Sequence, residues 1–460
     1  MADKKSVWST YTDADKEALE TLNAGYIDFL SACKTERESV KFAIAQAEAA
    51  GYKNLEAFIG GRKKLKAGDK VYAVCMKKSI ALFNIGKEPL TNGMNILGAH
   101  NDTCSLHVKQ KPIYEDSNMC LLDTHYYGGI KKYQWVALPL ALHGVVVKKD
   151  GTVIDICLGE DENEPAFCVT DLLIHLAQEQ MEKKASVVVE GEALDILCGT
   201  NPLEKDDKES VKENILALLK EKYDIEEDDF LSAELIFVPA GRAREMGFDR
   251  SMILAYGQDD RVCSYTSLVA MLETKKVNRT ACCLLVDKEE IGSVGATGMQ
   301  SRFFENAVAE ILNLMGETSD IAVRRTLANS KMLSSDVSSG YDPLYASAFD
   351  KKNVAYLGKG LVFNKFTGAR GKSGSNDANA EYLGELRSMM DKHNVHFQTA
   401  ELGRVDLGGG GTIAYIMALY GMNVIDSGVA VLSMHAPWEV TSKVDVYEAK
   451  KGYVAFLQEA

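Results

Sequence analysis

Short apolar runs of strand length, each followed by acidic or histidine side chains, constrain the fold of this chain most. "MNILGAH" ends at His100, "ACCLLV" is soon followed by Glu289 and Glu290, "KMLSSD" ends at Asp336 and "VAVLSMH" ends at His435. Continuous apolar runs are typical of strands covered on both faces, and helical segments lie between these runs. The pattern predicts an α/β fold with a mostly parallel central sheet flanked by helices.

The pattern of apolar and polar residues changes between residues 104 and 240. Short alternating strands such as "WVALPLALHGVVVKKDGTVIDICLG" are joined there by a "KKDG" turn, which indicates a β-rich insertion. A chain of 460 residues is long enough for more than one domain. We therefore predict an α/β domain in two parts, 1–103 and 241–460, interrupted by a smaller β-rich domain at 104–240.

Charge and hydropathy exclude several classes of partner. The net charge of −14 argues against nucleic acid, because phosphate binding needs a basic surface. No apolar stretch reaches the ~20 residues that span a bilayer, and the start lacks a signal-peptide core. Ten cysteines occur without any C-x-x-C pair, which is typical of reduced thiols and offers no recognisable nucleophile. The sequence predicts a cytoplasmic protein with no membrane and no nucleic-acid partner.

The polar side chains that follow the strands form one predicted site. The carboxyl ends of parallel strands meet at one edge of a sheet, so these side chains converge there, and Asp260 joins them from a loop-to-helix boundary. Each alone has an ordinary explanation, as a hydrogen-bonded histidine, a helix cap or a turn former. Together, histidines and carboxylates in these numbers match two divalent ions that share one carboxylate and leave room for water.

The adjacent glutamates at 289 and 290 and the H-x-D spacing of His100 and Asp102 fit that interpretation. Of two neighbouring carboxylates at a strand end, one can ligate a metal while the other moves a proton as general base and then general acid. Asp102 can lie behind the imidazole of His100 and fix its tautomer. The arrangement predicts hydrolysis by a metal-activated water.

Five motifs carry a family resemblance. "GAHNDT", "GQDDR", "DKEEIGS", "SSDVSSGYDP" and "LSMHAPWE", in this order, resemble the aspartyl aminopeptidase (aminopeptidase I) family of dizinc metallopeptidases, and "FVPAGRAREMGFDRS" and "GSNDANAEYL" extend the likeness to nearly the whole chain. The resemblance implies a metallo-aminopeptidase that releases single N-terminal residues, acidic or neutral, from peptides. It implies two divalent ions per subunit, zinc first, with Co²⁺ or Mn²⁺ as alternatives.

The same resemblance implies a role for each site residue. One metal would be held by His100, Asp260 and Asp336, and the other by Asp260, Glu290 and His435. Glu289 would be the general acid/base, and Asp102 would support His100. Asp259 is the less favoured neighbour of the bridging position.

The resemblance also implies how the chain is organised and assembled. The α/β part would be a zinc-peptidase-like domain, and the β-rich insertion would be a dimerisation domain. Members of the family form dodecamers built from dimers, so we expect a homo-oligomer.

Two segments bear on the substrate. In "FNKFTGARGKSGSND", Lys365 lies nearest the family's lysine position and could pair with an acidic substrate side chain, as could Arg370 or Lys372, but all three could equally be solvated cations. In "DLGGGGTIAYIMA", the glycines allow close approach of the backbone to the substrate, so we assign Gly410 and Thr412 to substrate binding.

Three other functions compete with this interpretation. An actin-like ATPase or sugar kinase would use "DLGGGGT" as a phosphate loop, but needs a second such loop that the sequence lacks. A non-catalytic scaffold with the peptidase fold would have lost a ligand or the base, whereas all six positions are filled. Another dizinc exopeptidase family with the same order of ligands stays open.

Overall fold

The computed structural model describes residues 6–61, 63–203, 209–368 and 370–460. Some of its helices begin after a side-chain cap; Thr12 and Thr35, for example, each accept a backbone N–H and form a capping box with the acid three residues on. The helices are α1 Asp13–Ala32, α2 Glu36–Ala49, α3 Gln178–Glu182, α4 Ser210–Tyr223, α5 Gln258–Glu273, α6 Phe303–Met315, α7 Asp320–Ala328, α8 Ala380–Lys392, α9 Ala414–Ala418 and α10 Lys443–Glu459.

The strands are mostly short and apolar. They are β1 Lys53–Asn54, β2 Lys70–Cys75, β3 Ser79–Asn84, β4 Met94–His100, β5 Ser105–Asp116, β6 Met119–Tyr127, β7 Leu140–Val147, β8 Val153–Leu158, β9 Ile196–Gly199, β10 Ala233–Pro239, β11 Arg244–Met246, β12 Met252–Ala255, β13 Thr280–Val286, β14 Lys331–Ser334, β15 Ser338–Ser339, β16 Leu361–Asn364, β17 Phe397–Ala400, β18 Asn423–Gly428, β19 Ala430–Leu432 and β20 Glu439–Ser442.

The described residues divide into two compact units. The first contains those within Met1–Asp102, Ala243–Met434 and Glu439–Ala460. The second contains those within Thr103–Arg242 together with His435–Trp438. Each unit has its own sheets, so each is described by itself.

The first unit is built on a nine-stranded sheet in the order β1-β2-β3-β13-β4-β14-β18-β16-β17. Strands β13, β4, β14 and β18 run parallel to one another, whereas β3 and β16 are antiparallel to their neighbours β13 and β18. The predicted α/β fold with a mostly parallel, helix-flanked sheet is confirmed. A separate five-stranded sheet, β11-β12-β20-β19-β15, completes this unit.

The central strands are continuously apolar because both faces of the sheet are covered. On β13, Cys283 and Leu285 pack into one hydrophobic cluster with residues of α1, α2, α5, α8 and α10. Their neighbours Cys282 and Leu284 point the other way, into a cluster with residues of α6, α7 and α9. Alternate side chains of a strand face opposite sides, so two helical layers demand apolar residues at every position.

The second unit contains an antiparallel sheet in the order β8-β7-β10-β5-β6-β9. Its burial alternates more than that of the central sheet, as in β8, where exposed or half-exposed residues alternate with buried Ile156 and Leu158. This is the pattern of a sheet with one covered face. Among the helices of the described ranges, none is both long enough and apolar enough to cross a membrane.

Candidate metal centre

Three parallel strands bring the predicted site residues to one edge of the central sheet. On neighbouring strands, Val286 is paired with His100, and Ser334 with Gly98. Strands β4, β13 and β14 therefore end side by side. Strand β4 ends at His100, β13 ends shortly before Glu289, and β14 ends shortly before Asp336. The polar residues that follow these strands are therefore brought to the carboxyl edge of the parallel strands.

The start of α5 brings two aspartates to the same place. Asp259 and Asp260 have non-helical backbone angles, so regular helix begins only after them. The preceding Gly257 has φ +66°, and a Cβ there would lie 1.8 Å from the Arg261 guanidinium. Buried Arg261 donates to the carbonyls of Gly257 and Tyr256, at 3.0 and 2.9 Å. The glycine and the arginine together fix the turn that presents both carboxylates.

His100, Asp260 and Asp336 form a buried cluster. One potential ligand atom from each lies within 4.8 Å of the other two. The backbone N–H of His100 donates to Asp260 Oδ2 at 3.3 Å, and Ser264 donates to the His100 carbonyl at 2.6 Å. The other oxygen of Asp260, Oδ1, is buried and accepts no hydrogen bond from the described residues. Such an atom is costly unless a ligand occupies the cluster.

The imidazole of His100 is held from one side. Its Nδ1 lies 3.0 Å from the carbonyl oxygen of Asp102, which can only accept, so Nδ1 carries the proton. Nε2 faces two carboxylates, Asp259 Oδ1 at 3.3 Å and Glu289 Oε2 at 3.8 Å. Asp259, treated above as the less favoured neighbour, is therefore the carboxylate nearest to the ligating nitrogen. Its adjacency to Asp260 was the only signal in the sequence.

Asp102 contacts the backbone of both glutamates as well as the histidine ring. Its carboxylate accepts the backbone N–H groups of Glu289 and Glu290, at 3.1 and 3.2 Å. Lys288 has a left-handed backbone with φ 70°, so the chain turns sharply after β13 into a 3-10 turn, Glu289–Ile291. The two glutamates are thus fixed at the strand end by an aspartate from the neighbouring strand end.

The charges in this cluster are unbalanced. Burial raises the pKa of Asp260 well above its usual value, although the charge of His100 lowers it. Burial and the charge of Asp260 likewise raise the pKa of Asp336. Burial alone lowers the pKa of His100, but hydrogen bonds with Asp102 and Asp259 outweigh it and raise that pKa. Several buried acids thus compete for too little positive charge.

A divalent cation fits this donor set. Imidazole nitrogen and carboxylate oxygen are the ligands zinc takes in hydrolytic enzymes, and a cation supplies the charge that buried carboxylates lack. The buried Oδ1 of Asp260, without a partner in the described chain, offers a ready ligand atom.

His435 lies in the second unit, within the segment His435–Trp438. Its Nδ1 is 3.0 Å from the carbonyl oxygen of Gly129, which fixes the proton on Nδ1 and leaves Nε2 able to ligate. Its backbone is left-handed, with φ 65°. The ring is therefore held in the tautomer that a metal ligand needs.

The predicted substrate residues lie elsewhere in the first unit. Lys365 and Lys372 pair with the two oxygens of Asp377, at 3.0 and 3.1 Å, and all three are partly exposed. The backbone N–H of Arg370 donates to the Val405 carbonyl. The two lysines are thus neither free cations nor simply solvated.

Gly410 and Thr412 hold the glycine-rich segment in place. The backbone N–H of Gly410 donates to the Thr367 carbonyl at 3.0 Å. The Thr412 hydroxyl accepts the backbone N–H of Ala414 at 3.3 Å, at the start of α9. Thr412 therefore lies just before the start of α9.

Known proteins share this sequence and fold. Residues 29–457 match the family model described as aminopeptidase I zinc metalloprotease (M18). The probable M18 family aminopeptidase 1 of Clostridium acetobutylicum is 58% identical over 458 residues, covering 99% of this chain and 98% of that protein. The crystal structure of the M18 aminopeptidase of Thermotoga maritima has a TM-score of 0.94 at 41% identity and covers 100% of both chains. The mApe1 dodecamer of S. cerevisiae shares the fold, with a TM-score of 0.76 at 20% identity over 96% of this chain and 97% of that one.

The fold and the sequence are those of a zinc-dependent hydrolase. The chain belongs to the aminopeptidase I (M18) family of zinc metalloproteases. The family predicted from the five motifs is confirmed, and so is its class as a zinc aminopeptidase.

Proposed function

We propose that this enzyme releases single N-terminal residues from peptides at a site holding two divalent metal ions, with Glu289 as general acid/base. The observation that carries the proposal is the buried cluster of His100, Asp260 and Asp336 with the Glu289 carboxylate beside it. A histidine and two carboxylates provide three ligands and leave a position open for water.

We assign one ion to His100, Asp260 and Asp336, and the other to Asp260, Glu290 and His435. The held tautomers of His100 and His435 support this assignment, since each leaves Nε2 for a metal. The position of Asp259, 3.3 Å from His100 Nε2, makes it the alternative bridging carboxylate. Zinc held by these residues would supply Lewis acidity, which would lower the pKa of water and polarise a peptide carbonyl.

We assign the proton transfer to Glu289. Its Oε2 is 3.8 Å from His100 Nε2, and its side chain is 15% exposed, so it lies between the cluster and solvent. In the proposed reaction Glu289 takes a proton from water as oxygen attacks the carbonyl carbon. It then gives that proton to the leaving amine nitrogen as the C–N bond breaks. Asp102 positions both His100 and the backbone of Glu289 for this step.

The preferred residue depends on the segment after β16. We propose that Gly410 and Thr412 contact the substrate backbone, and that Lys365 lies near the substrate side chain. Asp377 already balances Lys365 and Lys372, which reduces their attraction for an acidic residue. We therefore expect neutral N-terminal residues to be accepted at least as well as acidic ones.

We further propose that the enzyme is a cytoplasmic homo-oligomer. Its relative of known assembly with the same fold, S. cerevisiae mApe1, is a dodecamer. The β-rich second unit is the proposed dimerisation domain, and a dodecamer would be built from such dimers. No disulfide bond joins any of the ten cysteines, all of which lie in the described ranges, and this suits a reducing compartment. Light scattering on the purified protein would measure the mass directly; a monomer at micromolar concentration would contradict the assembly.

A substrate panel tests the catalytic proposal. Metal-stripped protein is assayed on aminoacyl chromogenic substrates of Asp, Glu, Leu, Met and Lys, with zinc, cobalt or manganese added back. We expect metal-dependent release of the N-terminal residue. If no substrate were hydrolysed with any metal, the catalytic proposal would be wrong and a scaffold function would take its place.

A further inference from the structure

A cavity of about 530 Å³ lies beside β17, the edge strand of the central sheet. Its walls come from three parts of the first unit: the segment 351–359, helix α8 and strand β17 itself. Its lining includes four basic residues and two apolar ones, Lys351, Lys352, Lys359, Arg387, Leu383 and Phe397. None of them belongs to the metal cluster or to the proposed substrate segment. The cavity is therefore a separate feature of the fold.

The cavity is strongly cationic. Four of its lining side chains are lysine or arginine, and no acidic residue of the described chain lines it. Within the described residues, Lys352 and Arg387 make no direct ion pair with a carboxylate, although the charge of Lys352 helps to lower the pKa of the neighbouring Asp350. The Lys351 ammonium lies 5.6 Å from the centre of the Tyr341 ring, which does not neutralise it. In a chain of net charge −14, this concentration of positive charge is a local exception.

The remaining wall of the cavity is apolar and held in place. Leu383 and Arg387 are one helical turn apart on α8, so they present an apolar and a charged group to the same side. Gln398 accepts the backbone N–H of Tyr356 at 2.9 Å and donates to the Tyr356 carbonyl at 2.8 Å. These two bonds tie β17 to the segment that carries the lysines, so the cavity has a preformed shape.

We propose that this cavity binds a small organic polyanion of the nucleoside polyphosphate class. Its phosphates would pair with Lys351, Lys352, Lys359 and Arg387, and its flat ring would lie on Leu383 and Phe397. Arginine and lysine are the side chains that recognise phosphate, and a volume of this size lies within the ~300–1,000 Å³ range of small-molecule sites. This binding function is additional to peptide hydrolysis and does not depend on it.

Titration calorimetry on the zinc-loaded full chain tests the proposal, with ADP, pyrophosphate and adenosine as separate ligands. We expect ADP to bind at one site per subunit, with an affinity that falls as salt rises. Arg387→Glu and Lys352→Glu should each weaken binding by about tenfold or more, because each removes and reverses a charge-assisted contact. Arg324→Glu, an exposed arginine on α7 outside the cavity, is the matched control and should bind as the parent does.

The two phosphate sources are separated by the ligand series. Tighter binding of ADP than of pyrophosphate supports the nucleotide class, whereas equal affinities would replace it by inorganic polyphosphate. Phosphate groups could also bind the zinc itself, but that effect would be the same in all variants. A loss of ADP binding confined to Arg387→Glu and Lys352→Glu therefore identifies the cavity as the binding site. No binding of ADP at low salt, or unchanged binding in both cavity variants, would overturn the proposal. Peptide hydrolysis is assayed separately, so failure of one proposal does not imply failure of the other.

Discussion

Two groups of charged side chains in the first unit differ in burial and in charge balance. One is the buried cluster of His100, Asp260 and Asp336, and the other is the exposed group of Lys365, Lys372 and Asp377. In the first, the side chains are almost fully buried and carboxylates outnumber cations. In the second, the side chains are 43%, 45% and 47% exposed and two lysines share one aspartate. Buried acids without enough positive charge either keep their protons or take up an external cation, whereas exposed, matched charges contribute little to stability.

The largest effect should come from Glu289, the proposed proton carrier beside the buried cluster. Glu289→Gln keeps the size of the side chain but cannot take a proton, so we expect kcat to fall by about two to four orders of magnitude. Zinc content, measured by elemental analysis, should stay at the parent level because the substitution leaves every proposed ligand in place. Near-normal turnover in this variant would remove Glu289 from the acid/base role.

A smaller effect is expected from the aspartate that supports the cluster. Asp102→Ala removes the acceptor of the Glu289 and Glu290 backbone N–H groups, so we expect zinc affinity or activity to fall by about 10- to 100-fold. Chelator competition measures the affinity. Asp102→Asn, which retains one carbonyl acceptor, is the matched control and should lose less. Equal behaviour of the two variants would contradict a positioning role for the carboxylate.

Asp426 is a buried acid outside the metal cluster. Burial raises the pKa of Asp426 on β18 to about 7, although the nearby Thr412 and Ser334 hydroxyls lower it. Neither carboxylate oxygen has a regular hydrogen bond to the described residues. The folded protein therefore retains this proton at pH values where the unfolded chain has lost it, so Asp426 costs stability as pH rises from about 4 to about 7.

Asp426→Asn removes that pH dependence. The free energy of unfolding of the variant minus that of the parent should be larger at pH 8 than at pH 5, by on the order of a few kcal/mol. Urea unfolding at the two pH values measures the difference. If the variant and the parent differed in free energy of unfolding by the same amount at pH 5 and at pH 8, Asp426 would not titrate in this range.

The smallest effect on stability is expected in the exposed group. Asp377→Asn breaks two solvent-exposed ion pairs, so the free energy of unfolding should change by no more than about 1 kcal/mol. The same change frees Lys365 and Lys372, so the ratio of activity on Asp to activity on Leu substrates should rise. An unchanged ratio would show that these lysines do not face the substrate side chain.

Much of the first unit could be predicted from the sequence because each strand carries its own signal. "ACCLLV" is apolar at every position, since Cys282 and Cys283 pack into helical layers on opposite faces. Polar residues directly after the strands marked the edge where His100 and Asp336 meet. The antiparallel placement of β3 and β16 left no such signal, because pairing direction depends on how distant segments meet.

Other features needed the folded chain. Asp259 and Asp260 are adjacent and both buried, and only the backbone at the start of α5 decides which of them faces His100 Nε2. The pairing of Lys365 with Asp377 joins residues 12 apart across a loop. The cations of the proposed polyanion site are spread from Lys351 to Arg387, so no local motif could have indicated the cavity.

The zinc content of the purified protein tests the two-metal site directly, measured by elemental analysis after zinc loading and dialysis. We expect two ions per subunit in the parent, and fewer in both His100→Ala and His435→Ala, because each variant loses one of three protein ligands at a different ion. One ion or none in the parent, or an unchanged content in His435→Ala, would contradict the two-metal site.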